Sequence, residues 1–265
     1  MKTLSASIAA AGLALAVRAA ETNELEEADS GGLSVEVSVD VLSDYIWRGK
    51  ICNGNPVWQP SVTLGYDAGD FGKISANVWA SMDLTHRRGT ANASRRGCGI
   101  QELDYTLAYA NSIGPVDVEV GHIWYNFPYR NGRPTEEVYG TLAYSNPIVT
   151  PSLSAYWDYL DTAGNDVSAV YATFALSRDF EPVEKLMVTP SAAIGFADHA
   201  YTDSAGGSEA TDFTAGLAAK YAVTEYLSVG AQVNYTWTPS HTLRKEGYMG
   251  EGEHQIGRAS CRERV

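Results

Sequence analysis

The sequence predicts an all-β fold: an antiparallel up-and-down transmembrane β-barrel of twelve strands, about eleven of them encoded before the chain is cut. Three observations carry this. From about Leu33 to Trp237 the chain repeats runs of roughly ten residues that alternate apolar and polar and end in turns, as strands between lipid and a polar lumen must. The runs lie behind a segment with the pattern of a secretory signal. The 16 Tyr and 6 Trp favour a chain that crosses membrane interfaces, and many stand near the ends of the runs. A hydrophobic content of 45% does not separate such a barrel from a soluble protein, because half of each strand faces a polar lumen.

Residues 1–20 read as the signal peptide, with Lys2 as the positive charge, Leu4 to Val17 as the apolar segment and small residues around Ala19 for cleavage. Residues 21–32 are acidic, lack an apolar period and form a flexible periplasmic leader. Residues 33–255 form the barrel. Its strands are expected near 33–47, 56–67, 71–84, 100–110, 115–126, 135–145, 150–160, 166–177, 185–197, 210–221 and 225–237. In the first, Leu33, Val35, Val37, Val39 and Val41 share one face and Ser34, Glu36, Ser38 and Asp40 the other. In the last, Leu227 to Trp237 alternates in the same way.

Connections alternate too. Those at 67–71, 111–115, 146–150 and 223–225 are short. Those at 49–55, 85–99, 127–134 and 198–210 are mostly longer and richer in Gly, Asn and charge, the asymmetry of periplasmic turns and extracellular loops. The connection at 161–165 is short for a loop, and that at 178–184 is long for a turn. Aromatics expected at the outer girdle include Tyr45, Trp47, Trp58, Trp124, Trp157, Tyr159, Tyr235 and Trp237, with Tyr66, Tyr109, Tyr144 and Tyr221 at the other.

Residues 256–265, IGRASCRERV, back-translate without mismatch to ATCGGAAGAGCGTCGTGTAGGGAAAGAGTG, which resembles a common short-read sequencing adapter, so this tail is read as non-native. The expectation is a barrel lacking its closing strand, with a gap between the first and eleventh strands or the tail lying in it. Cys261 belongs to the tail. That leaves Cys52 and Cys98 in the first and second outer loops as a disulfide pair in an exported protein.

Ser43 to Tyr66, SDYIWRGKICNGNPVWQPSVTLGY, resembles the opening of the TorF-like porin family of outer-membrane β-barrels through Ser43, Asp44, Tyr45, Trp47, Arg48, Gly49, Pro56 and Gln59. Gly72 to Ser81 and the region from Tyr125 to Pro128 are also similar. The first loop departs from the family, with Lys50-Ile51-Cys52-Asn53 in place of a Ser/Gln-rich stretch. The resemblance implies a porin of undefined substrate and no catalytic residues.

The inferred inward face carries Glu36, Asp40, Asp83, Glu102, Asp104, Asp117, Glu119, Glu137, Asp158 and Asp212 against Lys73 and Lys220. Asp44 and Arg48, four apart on a strand, should also point inward, paired with each other or in a lumen network. Such a surplus of carboxylates favours cations in an open lumen, because low-dielectric walls focus the field. The bland alternative is that the carboxylates only hydrate the interior. His86, Arg87, Arg88, Arg95 and Arg96 make a basic outer loop, a solvated segment or a grip on lipopolysaccharide phosphates.

No catalytic motif stands out, and His199 beside Asp198 or Asp203 is a pairing common by chance, so no enzyme is expected. No cofactor, metal or nucleic-acid partner is expected either. The partners are outer-membrane lipid, lipopolysaccharide and small polar solutes. The function expected first is passive diffusion of those solutes, with cations preferred. The alternative is a structural or surface-binding barrel plugged by its own side chains, with Trp79, Tyr125, Tyr139, Tyr156 and Tyr171 pointing inward. A rim enzyme and a soluble periplasmic sandwich rank below both.

Overall fold

The computed structural model describes residues 14–19, 32–85, 99–128, 134–160, 168–198, 200 and 209–239. Long alternating runs settle into strands because every second side chain is apolar and the backbone can satisfy its polar groups only across a ladder. The strands are β1 (Ala14–Ala19), β2 (Leu33–Leu42), β3 (Tyr45–Trp47), β4 (Lys50–Asn53), β5 (Val57–Asp67), β6 (Lys73–Asp83), β7 (Ile100–Ile113) and β8 (Val116–Asn126). They continue with β9 (Thr135–Tyr144), β10 (Thr150–Asp158), β11 (Ala169–Ser177), β12 (Phe180–Val183), β13 (Leu186–Ala197), β14 (Glu209–Ala222) and β15 (Leu227–Trp237).

One antiparallel sheet runs β11-β10-β9-β8-β7-β6-β5-β2-β1-β15-β14-β13-β12. β11 also pairs with β13, from Tyr171 opposite Ala197 to Ser177 opposite Ser191. That pairing closes twelve strands into a ring and leaves β12 as a short extension of the β11–β13 hairpin. The long connection at 178–184 is thus more ladder, not coil, and it reverses beside Lys185 at φ 68°.

No gap separates β2 from β15. Ala14–Ala19, expected to leave with a signal peptide, runs antiparallel to both, from Ala14 opposite Asp40 and Gly230 to Val17 opposite Val37 and Leu227. The physical reason is the one that closes every such wall: two facing strand edges with unpaired N–H and C=O groups draw in whatever extended segment can reach them.

The register fixes which face looks where. Leu33, Leu64, Ile74, Leu107, Leu153 and Leu217 lie exposed on the outside. Between aromatic levels such as Trp58 and Tyr66 on β5, this exterior is the apolar band of a lipid-facing barrel. Trp124, Trp157 and Tyr235 are exposed toward the long-loop end, and Tyr109, Tyr144 and Tyr221 toward the short-turn end. Inside, Asp40, Asp83, Glu102, Asp104, Glu137 and Asp212 are buried.

The first strand is the main departure. The wall strand stops at Leu42, and Ser43 and Asp44 bend the chain away, with the Ser43 hydroxyl donating to Asp44 Oδ1 at 2.8 Å. β3 and β4 then form a separate hairpin, so Tyr45 and Trp47 leave the outer girdle and pack inside.

Candidate functional site

The inward hairpin builds the site. Trp47 faces Lys50 across a two-residue turn made by Arg48 (φ 50°) and Gly49 (φ 80°). Positive φ at both central residues is what a type I′ turn demands. Arg48 holds this conformation at a cost of about 1–3 kcal/mol, because it carries a Cβ. Gly49 can take no side chain: a Cβ there would lie 2.9 Å from the Asp212 Cβ and 3.1 Å from the Thr211 carbonyl oxygen. The tip therefore touches β14.

Arg48 spans the lumen. In the ring order, β9, β10 and β11 stand opposite β2, from which the hairpin departs. Its guanidinium donates from Nη1 to Glu137 Oε1 at 2.7 Å and from Nη2 to Oε2 at 2.8 Å, a bidentate pair with Glu137 only 2% exposed. The Arg48 Cζ lies 4.3 Å from the ring centroid of Trp47, 4.2 Å from Tyr156 and 4.4 Å from Tyr171. Tyr125 donates its hydroxyl to Glu137 Oε2 at 2.9 Å. Behind Arg48, Tyr171 and Thr211 donate to Asp212 Oδ1 at 3.2 and 2.7 Å. The Tyr139 and Tyr156 rings stack at 5.5 Å, and Tyr139 donates to Glu119 at 2.6 Å.

The hairpin root is tied as firmly. Asn53 Nδ2 donates to Asp83 Oδ2 at 3.0 Å and to Gln101 Oε1 at 2.8 Å, and Asn55 reaches the same Asp83 oxygen at 3.2 Å. Asp83 Oδ1 takes the Thr85 amide and hydroxyl at 2.6 and 2.7 Å. With Trp79 packed on Tyr45 at 5.7 Å between centroids, hairpin and aromatics fill the long-loop half of the lumen.

The short-turn half is hollow. A cavity of about 780 Å³ is lined by Ser34, Ser38, Ser61, Thr63, Ser75, Asn77 and Thr106, with Glu36, Asp67, Asp70, Asp117 and Glu119 against Lys73 among its charged residues. Asp117 accepts from the Ser112 and Ser145 hydroxyls at 2.6 and 2.8 Å, which holds it ready to line the mouth.

The sequence-predicted residues thus divide between two places. Glu36, Lys73, Asp117 and Glu119 line the cavity. Asp40, Asp44, Asp83, Glu102, Asp104, Glu137 and Asp212 are buried at the filled end. Asp158 accepts from Thr135 at 2.6 Å, and Lys220, opposite Gly230, shares the inward parity of Asp212. Asp44 is buried where the chain bends at Ser43, and Arg48 enters a lumen network through its ion pair with Glu137. Cys52 lies half-buried on β4; Cys98 and the basic loop with His86, Arg87, Arg88, Arg95 and Arg96 lie outside the described residues, as do His199 and residues 256–265.

Sequence reasoning passed over His122. It sits on the outward face, where Nε2 contacts the Tyr159 hydroxyl at 2.6 Å and Glu136 Oε2 at 3.2 Å, while Tyr159 donates to Glu136. The ring lies 3.9 Å from that of Trp124. Residues scattered over β8, β9 and the end of β10 carry no spacing signal, so only the fold could assemble them. Among the described residues no group of three His, Cys, Asp or Glu side chains is arranged to hold a metal ion.

Residues 26–251 match the model of a family described as a bacterial protein of unknown function (Gcw_chp). No curated protein matches the chain. Among solved structures, a loop L8 deletion mutant of OmpT, an outer membrane protein of Vibrio cholerae, aligns with 86% of this chain and 97% of its own at 10% identity and a TM-score of 0.35.

Proposed function

This chain belongs to the Gcw_chp family of bacterial proteins of unknown function, and we propose that it is an outer-membrane channel for passive diffusion of small polar solutes, with cations preferred. One observation carries the reading: a polar cavity of about 780 Å³ with five carboxylates and one lysine among its lining residues, enclosed by a wall whose other face is apolar. Charges lining a low-dielectric wall raise the local concentration of counter-ions and lower the barrier to their entry. The resemblance of residues 43–66 to TorF-like porins points the same way. In this reading the hairpin is the narrow part of the path, and flow requires it to move.

Open-state reversal potentials in planar bilayers under a KCl gradient test the preference. Potassium is expected to be favoured over chloride, and Glu36→Gln with Glu119→Gln should move the reversal potential toward zero. Chloride selectivity in the unmodified protein would overturn the proposal.

A second reading is favoured by the burial of Trp79, Tyr125, Tyr139 and Tyr171 around the hairpin: a permanently plugged barrel with a structural or surface-binding role. It predicts no conductance even when the hairpin is removed.

A further inference from the structure

We propose that Glu137, Tyr156 and Tyr171 form a guanidinium-recognition site in which Arg48 is the resident occupant, so that a solute bearing a guanidinium group competes with the hairpin. This rests on the channel reading and names the class of cation the channel recognises.

Two features that recognise a guanidinium meet here. A planar carboxylate faces the fork of Arg48 at 2.7 and 2.8 Å, and a point-charge ammonium cannot match that geometry. Aromatic rings from two wall strands then flank the cation, with Cζ 4.2 and 4.4 Å from the Tyr156 and Tyr171 centroids. Wall side chains also hold two of these groups. Tyr125 orients Glu137, and Asp212 anchors Tyr171. Trp47 supplies a third ring but travels with the hairpin.

The occupant is also displaceable. Arg48 reaches the cage from a turn in which its own φ is 50°, a conformation that favours glycine. Releasing the hairpin relieves that strain, and a free guanidinium can then satisfy Glu137 without it. The cavity below carries an acidic surplus that would pass a cation onward.

The test is chemical rescue in detergent micelles, which needs no channel activity. Arg48→Ala empties the cage, and millimolar methylguanidinium is expected to restore at least half of the lost thermal midpoint, saturably. Methylammonium at the same concentration should restore little. Adding Glu137→Gln to Arg48→Ala should abolish the rescue. If Arg48→Ala does not fold, Arg48→Lys serves, because methylguanidinium should outcompete the lysine ammonium and raise its midpoint in the same way. Rescue that is absent, equal for methylammonium or indifferent to Glu137 overturns the site. Rescue without any conductance leaves the site standing and removes the channel, so the two readings fail separately.

Discussion

Arg48→Ala should cost the folded barrel about 3–5 kcal/mol, since it strands a buried carboxylate. Glu137 is 2% exposed, and its two oxygens take both terminal guanidinium nitrogens and the Tyr125 hydroxyl. Truncation removes the charge that justifies this burial and leaves a void among Trp47, Tyr156 and Tyr171. Urea unfolding of purified protein in micelles, followed by tryptophan fluorescence, reads the loss. Arg48→Ala combined with Glu137→Gln should be less damaging than the sum of the two single changes, because the second relieves the charge exposed by the first. Additive losses would mean that the pair is not coupled.

A second large effect is expected on the outer wall. Val62 lies midway between Trp58 and Tyr66 on β5 and faces outward, while its neighbour Thr63 lines the cavity and accepts from Asn77 Nδ2 at 2.7 Å. Val62→Arg should cost about 2–4 kcal/mol when the barrel is folded into lipid, the penalty of an arginine near the bilayer midplane. Thr63→Arg, one residue away, should cost much less, because it joins a cavity lined by polar and acidic side chains. Equal tolerance of the two would show that the outer band does not face hydrocarbon.

The wall was legible in the sequence because period-two alternation states both the element and its facing. Parity alone points Trp79, Tyr125, Tyr139 and Tyr171 inward, and they are buried. What parity does not state is where a strand leaves the sheet. Tyr45 and Trp47 keep the parity of Val39 and Val41 although Leu42, Ser43 and Ile46 interrupt the alternation, and the chain turns inward at Ser43. The available signal was Arg48-Gly49 between two short apolar-rich runs, a two-residue turn read as part of a strand end and a loop. The partner of Arg48 lies 89 residues away, and although parity puts it on the inward face, no local pattern joins the two. β1 escaped for another reason: its composition is that of a signal peptide, and its pairing depends on two edges that only the closed ring brings together.

In the channel reading, the hairpin from β3 to β4 obstructs an otherwise continuous lumen. Single-channel recording tests it most directly, comparing the unmodified protein with a variant in which residues 44–55 are replaced by a short Gly-Ser linker. Brief, rare openings are expected in the first and a steady, cation-selective conductance in the second. Identical traces, whether both silent or both open, would contradict it.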